Sequence, residues 1–303
     1  MELNKGNKFA AFIMTFEREH ILSDTINKIL SQTFPPQKIL IIDNSFSDKT
    51  ELLVNSLQYQ NVFYHRVGYN SGPAGAAAIG LKLLANEGFE WIYWGDDDDP
   101  PVFEDTFEIL LRTAMSINNC GCVGSVGQYF NRKTGLIKRV SNEEIENEGI
   151  IEVDTIAGGM SKIVNGPMVR KLEILPDERL FFSFEDLDID IKIRKAGYKI
   201  LADKSLYLRH RLHFNRINAL SRKGLKKSET ALVRDYYSMR NCLTILFKNK
   251  LYIAFAVTIL RFLFKIGLGF KYGIKYGISN AKVVITAINH FVSGKRGKVL
   301  FEI

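Results

Sequence analysis

Three cysteines in 303 residues, Cys120, Cys122 and Cys242, leave an odd number with no second C-x-x-C pair and no histidine at zinc spacing. That count builds neither a disulfide frame nor a zinc site, and it fits a reducing cytoplasm. A signal-peptide core is also lacking, because the apolar run "FAAFIM" gives way at once to Thr15 and Glu17. The N-terminus is therefore expected to stay cytosolic. No internal repeat or low-complexity tract is evident. With 46% apolar and 24% charged residues, the chain has ordinary globular composition and enough length for one large domain or two smaller ones.

Acid is scarce in two stretches. From Lys248 to Ile303, ten Lys/Arg face a single acidic residue, Glu302, so the formal charge of +8 belongs to this tail and the rest of the chain is close to neutral. Lys204 to Lys227 adds eight Lys/Arg and no Asp or Glu, a local stripe that attracts anions. Basic charge confined to an amphipathic tail does not match a nucleic-acid surface, and no nucleic-acid partner is expected.

What the chain does have is alternation. "FAAFIM" and "KILII" (Lys38–Ile42) are continuous apolar runs, as expected of parallel strands covered on both faces. Between them Ile21, Leu22, Thr25, Ile26, Ile29 and Leu30 recur at helical spacing before Pro35 and Pro36. The pattern continues with a helix through Leu52, Leu53 and Leu57, a strand at Val62–His65, a small-residue helix from Ala74 to Asn86 and a strand at Trp91–Trp94. Such alternation implies an α/β fold with a doubly wound sheet, whose ligands lie beyond the carboxyl ends of the strands. Strands are expected further on at Cys122–Tyr129, Ile150–Ile156 and Lys199–Ala202, and a helix from Glu185 to Lys195 that Gly197 stops.

The four strand ends carry polar loops: "TFER", "DNSFSD", "YNSGPAGA" and "DDDD". Each alone is ordinary turn chemistry. Together they suggest a nucleotide site, since Asp43 can accept a base N–H and a Gly/Ala-rich loop lets the chain approach a ribose or phosphate. In "EWIYWGDDDDPP" four consecutive carboxylates, Asp96 to Asp99, are balanced either by water or by a divalent cation drawn to hard oxygen ligands. In "FFSFEDLDIDIKIRKAGYKI", Asp186 falls in the first helical turn, where the helix dipole favours an ionised carboxylate fit to act as a base.

Taken in order, "TFER", "IIDNSFSD", "NSGPAGAAAIG", "WGDDDDPP", "FFSFEDLDIDIKIRKAGYKI" and "LYLRHR" resemble the inverting family-two glycosyltransferases of GT-A fold, over about residues 8 to 215. More narrowly, Asn-x-Gly-x-Ala-Gly ahead of "WGDDDD" resembles the galactofuranosyl and rhamnosyl transferases of bacterial surface polysaccharides. The resemblance implies a Rossmann-like GT-A domain over 1–225, with a nucleotide-sugar half to about 100 and an acceptor half after it, followed by a basic helical region over 226–303. It implies that Asp96 and Asp98 frame the D-x-D motif at a metal and the donor diphosphate, with Asp97 toward the sugar or ribose. His210, thirteen residues after Gly197, falls where related enzymes present a metal-binding imidazole. Thr15, Arg18, Asp43, Asn70 and Gly72 fall at nucleotide-binding positions, although Pro73 replaces a common second glycine and removes an N–H donor.

The implied reaction moves a sugar from a UDP- or dTDP-sugar to a hydroxyl of a growing, lipid-linked glycan. Mn²⁺ or Mg²⁺ would act as Lewis acid, Asp186 as base, and Glu185 as its orienting neighbour. Arg209, Arg211 and Arg216 are expected to neutralise remaining phosphate charge. The stretch "LYIAFAVTILRFLFKIGLGF" (Leu251–Phe270) is long enough to span a bilayer, but Arg261 and Lys265 near its middle favour an interfacial helix. One face would bury Phe255, Ile259, Phe262, Leu263 and Ile266, and Arg261, Lys265, Lys271 and Lys275 would reach anionic headgroups. The alternative is that this helix packs on the catalytic domain or on a second subunit, as a homo-oligomer. The expected location is cytoplasmic, peripheral at the inner face of the plasma membrane. The competing functions are a polyprenyl-phosphate sugar synthase and a non-catalytic sugar-nucleotide-binding module.

Overall fold

The structure, a computed structural model, describes residues 8–217 and 228–299. The elements in chain order are β1 (Phe9–Thr15), α1 (Glu19–Leu30), β2 (Lys38–Asp43), α2 (Lys49–Leu57), β3 (Val62–Arg66), α3 (Gly72–Asn86), β4 (Trp91–Asp96), α4 (Thr106–Ser116), β5 (Cys120–Gly124), β6 (Gly127–Asn131) and β7 (Leu136–Arg139). They continue through α5 (Asn142–Ile145), β8 (Ile150–Val153), β9 (Thr155–Ile156), β10 (Lys162–Asn165), α6 (Gly166–Leu172), α7 (Glu185–Lys195), β11 (Lys199–Asp203), α8 (Lys204–His213), α9 (Glu229–Lys248), α10 (Tyr252–Gly269) and α11 (Ile274–Val292).

Eight strands form one mixed sheet in the order β3-β2-β1-β4-β10-β5-β11-β8. Strand alternation explains why the first runs are apolar throughout. Ala10, Phe12 and Met14 join the core on one side of the sheet, while Phe9, Ala11 and Ile13 join the core on the other. Because β1 is parallel to β2 and to β4, with Thr15 opposite Asp43 and Met14 opposite Asp96, the polar loops after these strands emerge at one edge. That edge holds the site.

The region after residue 100 departs from the sequence expectation. The single strand expected at 122–129 divides at Ser125 and Val126 into β5 of the large sheet and β6 of a three-stranded sheet, β7-β6-β9. The division is fixed by backbone bonds from Ser125 to Ser161 and from Ala157 to Val126, which pull the chain between two partners. Strand β10, unforeseen, runs antiparallel between β4 and β5 and brings Lys162 beside Trp94. The expected domain boundary near 225 and the basic stripe from Arg222 to Lys227 lie outside the described residues.

Helices α9 to α11 are not a detached tail. Cys242, Ile245, Leu246 and Ala254 share one core with Ala74, Phe130, Leu180, Leu187 and Ile191. Within α10, Phe255 packs near this core and Phe262 and Ile266 pack on α9 and α11, so these three face protein, as in the alternative of a packed helix, rather than a membrane interface. The expected headgroup contacts of Arg261 and Lys265 are corrected: both side chains turn into the protein. Arg261 donates to the Thr134 carbonyl and to Thr258 Oγ1 at 2.6 and 2.7 Å, and Lys265 pairs with Asp235 at 2.7 Å. Bonding partners inside the fold outcompete solvent for these two cations. The outward face is apolar instead, with Ile253, Leu260, Phe264 and Leu268 exposed, and Leu263 half exposed rather than buried. Among the described residues one helical stretch, Tyr252–Tyr272, is long and apolar enough to cross a membrane.

Candidate active site

The loop of Asp96 to Asp99 is anchored from below by β1 and α1. Thr15 Oγ1 donates to Asp97 Oδ2 at 2.7 Å, Arg18 donates to Asp97 Oδ1 at 3.1 Å and to Asp98, and Thr25 Oγ1 donates to the Asp97 carbonyl at 2.6 Å. Asp97 is consequently largely buried and held by these three residues, and it still lines the larger cavity described below. Asp43 is fully buried too, accepting from the Ser45 N–H at 2.8 Å and the Tyr64 hydroxyl at 2.9 Å. It shapes the loop after β2 and lines none of the cavities described below.

The loop before α3 is built around Gly72, whose φ of +71° suits glycine alone among common residues. A Cβ there would meet the Phe181 carbonyl oxygen at 2.2 Å. The Asn70 side chain accepts from the Gly72 N–H at 3.0 Å, and the Ala74 N–H reaches the same Phe181 carbonyl at 3.2 Å. Pro73 thus sits where the helix needs no donor from it.

Two cavities meet at this edge. The larger, about 370 Å³, is lined by Thr15, Arg18, Asn70, Gly72, Asp98 and Arg234. The smaller, about 190 Å³, is lined by Trp94, Asp99, Gly158, Lys162 and Asp186. Asp96 and Glu185 line both, and so stand at their junction. The sequence-expected residues Thr15, Arg18, Asn70, Gly72, Asp96, Asp98, Glu185 and Asp186 are therefore brought together.

Electrostatics at the junction are unbalanced. The Asp96 carboxyl is pushed up to about 7 by desolvation and then by the charges of Asp186, Asp98, Asp97 and Asp99. Glu185 is raised by the same causes, burial first and Asp186 second, and its Oε2 has no hydrogen-bond partner. Two nearby cations are already engaged, Arg18 with Asp97 and Asp98, and Lys162 with Asp186 at 3.1 Å and Asp190 at 2.9 Å, while Arg234 also lines the larger cavity. A divalent cation fits a cleft with this surplus of carboxylate oxygens. Among the described residues no three His, Cys, Asp or Glu side chains are gathered into a metal cluster.

His210 is not drawn into either cavity. It lies buried in α8 with its ring edge-on to Phe103 at 5.3 Å, and Phe103 closes the loop that follows the aspartates. Burial, then His213, Arg209 and Arg216, lower it to about 4, so the imidazole is neutral. Neither ring nitrogen has a hydrogen-bond partner, which is unusual for a buried polar group. Arg216 exerts a coulombic influence on both His210 and Asp99. Arg209 instead pairs with Asp105 at 2.8 Å, and Arg211 is buried against Asn142 and the Val140 carbonyl, so neither faces a phosphate.

Three further residues shape the site without a sequence signal. Lys162 is 2% exposed and is the counter-charge for Asp186 and for fully buried Asp190. Burial alone would lower its ammonium, but Asp190 and then Asp186 hold it charged. Replacing Lys162 by Met would strand two carboxylates, and the expected loss is about 3–5 kcal/mol of folding stability. A denaturant titration checks this, and an unchanged midpoint would remove the ion pair from the account. Arg240 and Asn241 of α9, both fully buried, donate to the Leu180 carbonyl, and Asn241 also to those of Phe182 and Ser183. They hold a segment in which Phe181, Ser183 and Phe184 all have positive φ, immediately ahead of Glu185 and Asp186. A lone Arg-Asn pair in a helix carries no pattern that announces this.

Comparison with known proteins places these features. Residues 10–165 match the family description "Glycosyl transferase family 2". A galactofuranosyltransferase, GlfT1 of Mycolicibacterium smegmatis, is 23% identical over 62% of this chain and 65% of its own length. A GalNAc(5)-diNAcBac-PP-undecaprenol beta-1,3-glucosyltransferase of Campylobacter jejuni is 28% identical over 48% of this chain and 45% of its own. Each match thus spans less than two thirds of the relative. In fold, the chain is similar to the mannosyltransferase PcManGT of Pyrobaculum calidifontis, solved with GDP-Man and Mn²⁺, at a TM-score of 0.55 and 12% identity over 95% of this chain and 88% of that one. It is likewise similar to GalNAc-T7, solved with UDP, GalNAc and Mn²⁺, at a TM-score of 0.54 and 16% identity over 66% and 43%.

Proposed function

The chain belongs to glycosyl transferase family 2, and from that premise we propose that it is an inverting, metal-dependent glycosyltransferase acting on a nucleotide sugar. The reading extends to transfer of galactofuranose or rhamnose from a UDP- or dTDP-sugar to a hydroxyl of a lipid-linked bacterial surface glycan. Support for the sugar and the lipid comes from the names of the two relatives. The observation that carries the reading is the junction itself: Asp96 and Glu185 stand between one cavity holding Thr15, Arg18 and Asn70 and another holding Asp186.

In this arrangement the nucleoside diphosphate occupies the larger cavity and the acceptor hydroxyl the smaller. The acceptor oxygen forms a bond to the anomeric carbon while the bond to the diphosphate breaks, and its proton passes to Asp186. Oδ1 of Asp186 is held by Lys162, and glycine at 158 leaves room at Oδ2, where a Cβ would come within 3.0 Å. Arg18 and Arg234 line the leaving-group side. Asp96 and Asp98 would hold Mn²⁺ or Mg²⁺, with neutral, unbonded His210 the further ligand candidate, and the metal supplies Lewis-acid stabilisation of the departing diphosphate. Mixed oxygen and imidazole ligation suits Mn²⁺ better than Ca²⁺.

A panel of UDP- and dTDP-sugars with Mn²⁺, read by hydrolysis and by thermal stabilisation, tests the reading. One donor is expected to be hydrolysed and to raise the melting temperature; stabilisation without turnover across conditions would favour a binding module. For location, the exposed apolar face of α10 is proposed to rest at the inner surface of the plasma membrane. Paired Leu260→Glu and Phe264→Glu substitutions are expected to abolish pelleting with anionic vesicles, and unchanged pelleting would place that face elsewhere.

A further inference from the structure

A third and a fourth cavity extend away from Asp186 toward the C-terminal helices. The third, about 280 Å³, shares Gly158, Glu185 and Asp186 with the small cavity and adds Gln128, Ile137 and Phe184. The fourth, about 410 Å³, shares Ile137 and Phe184 with the third and is walled by β7, α9 and α10. Its volume is that of a small-molecule site, and Leu136, Met239, Cys242 and Phe262 make its wall mainly apolar. Neither Ile137 nor any residue of α10 lines the nucleotide-side cavity. The third cavity meets the larger cavity at Phe182 and Glu185 and the smaller one at Gly158, Glu185 and Asp186, so the path borders the reaction centre chiefly on the Asp186 side.

Two charged groups of α10 border the apolar wall. Lys265 is matched by Asp235, whereas among the described residues Arg261 has no carboxylate partner and its buried Nε has no hydrogen-bond partner. An unneutralised guanidinium beside an apolar cavity suits an anionic group attached to a hydrocarbon chain. The same helix separates this cavity from the outside: Thr258, Arg261, Phe262 and Lys265 line it, while Leu260, Phe264 and Leu268 are exposed. One helix thus has a mainly apolar, cation-bordered cavity on its inner side and a bare apolar surface on its outer side.

We propose that the cavity between β7, α9 and α10 takes the hydrocarbon chain of a phosphate-bearing lipid acceptor, with its phosphate toward Arg261 and its sugar end threaded past Ile137 and Phe184 to Asp186. This rests on the glycosyltransferase reading for the sugar end. Chain binding itself does not depend on turnover, and the two can fail separately.

The test uses the full chain and tetradecyl phosphate, butyl phosphate and tetradecanol as probes in calorimetry. Tetradecyl phosphate is expected to bind about 100-fold more tightly than butyl phosphate, through burial of the added methylenes. Ile137→Glu, on a strand exposed along its length, and Met239→Trp, which fills the cavity from α9, are each expected to cut that preference about 10-fold or more. Arg261→Gln is expected to lower affinity for tetradecyl phosphate but not for tetradecanol. With the donor identified by the nucleotide-sugar panel, tetradecyl phosphate is expected to compete with a short-chain acceptor. Equal affinity for the two chain lengths, or chain preference intact in both cavity variants, would overturn the site. Binding without competition would assign the cavity to a structural lipid and overturn its acceptor role. A wild-type chain that binds tetradecyl phosphate with these sensitivities yet hydrolyses no donor would uphold the chain site and refute only the enzymatic reading.

Discussion

Replacing Asp186 by Asn is expected to lower the rate of sugar transfer by roughly 10²–10⁴, the usual contribution of a positioned general base. The substitution keeps the side chain's size and its place in the first turn of α7, and removes only the oxygen able to carry a proton. Lys162 keeps Asp190 as its partner at 2.9 Å, so the local ion pair survives and the fold should be little affected. Asp186 does not line the cavity that holds Thr15, Arg18 and Asn70, so donor affinity should stay within about twofold of wild type, a change too small to reflect a lost hydrogen bond. Steady-state kinetics alongside calorimetry with the donor separate the two effects. Full activity in the Asn variant would remove Asp186 from the mechanism and pass the role to Glu185, which has an unpartnered oxygen at the same junction.

The second large effect is expected from Asp98→Ala and Asp96→Ala. Both carboxylates line the larger cavity, proposed to take the nucleotide, and Asp96 carries the charge burden that a cation would relieve. Each substitution should weaken Mn²⁺-dependent donor binding by more than the roughly 10–100-fold that loss of a supporting partner costs at metal sites. In metal-free buffer the same variants should bind the donor no worse than wild type, because they then only subtract repulsion between carboxylates and the diphosphate. Asp98→Ala also releases Arg18, which remains on Asp97 at 3.1 Å, so the loop should not unravel. Unchanged Mn²⁺-dependent affinity in both variants would reject the ligand assignment.

The first half of the fold was legible because its strands are buried on both faces and its helices repeat at 3.6 residues; β1, β2 and β4 fall within a residue or two of their apolar runs. The loops after those strands could be placed at one edge by topology alone. What periodicity could not show was long-range partnering. Strand β10 is short and lies among glycines, and only its pairing with β4 and β5 reveals that Lys162 is the buried counter-ion of α7. Asp43 reads as a ligand from its position, yet it satisfies neighbouring donors and lines none of the cavities described, since a carboxylate at a strand end is equally good at closing its own loop. In α10 the apolar stripe was legible but not what covers it: Phe262 and Ile266 pack on protein rather than on a membrane, and Thr134 of the β6–β7 turn and Asp235 of α9, which bind Arg261 and Lys265, belong to no local pattern.

The central claim is that the aspartates after β4 and the first turn of α7 serve one cation and one nucleotide sugar. Crystals soaked with Mn²⁺ and the matching nucleoside diphosphate test it most directly through the anomalous signal of the metal. The account predicts a peak about 2.0–2.3 Å from carboxylate oxygens of Asp96 or Asp98, with the diphosphate on the Arg18 side and Asp186 facing the vacant acceptor cavity. A manganese peak away from both aspartates, or a nucleotide bound outside the cavity of Thr15 and Asn70, would contradict it.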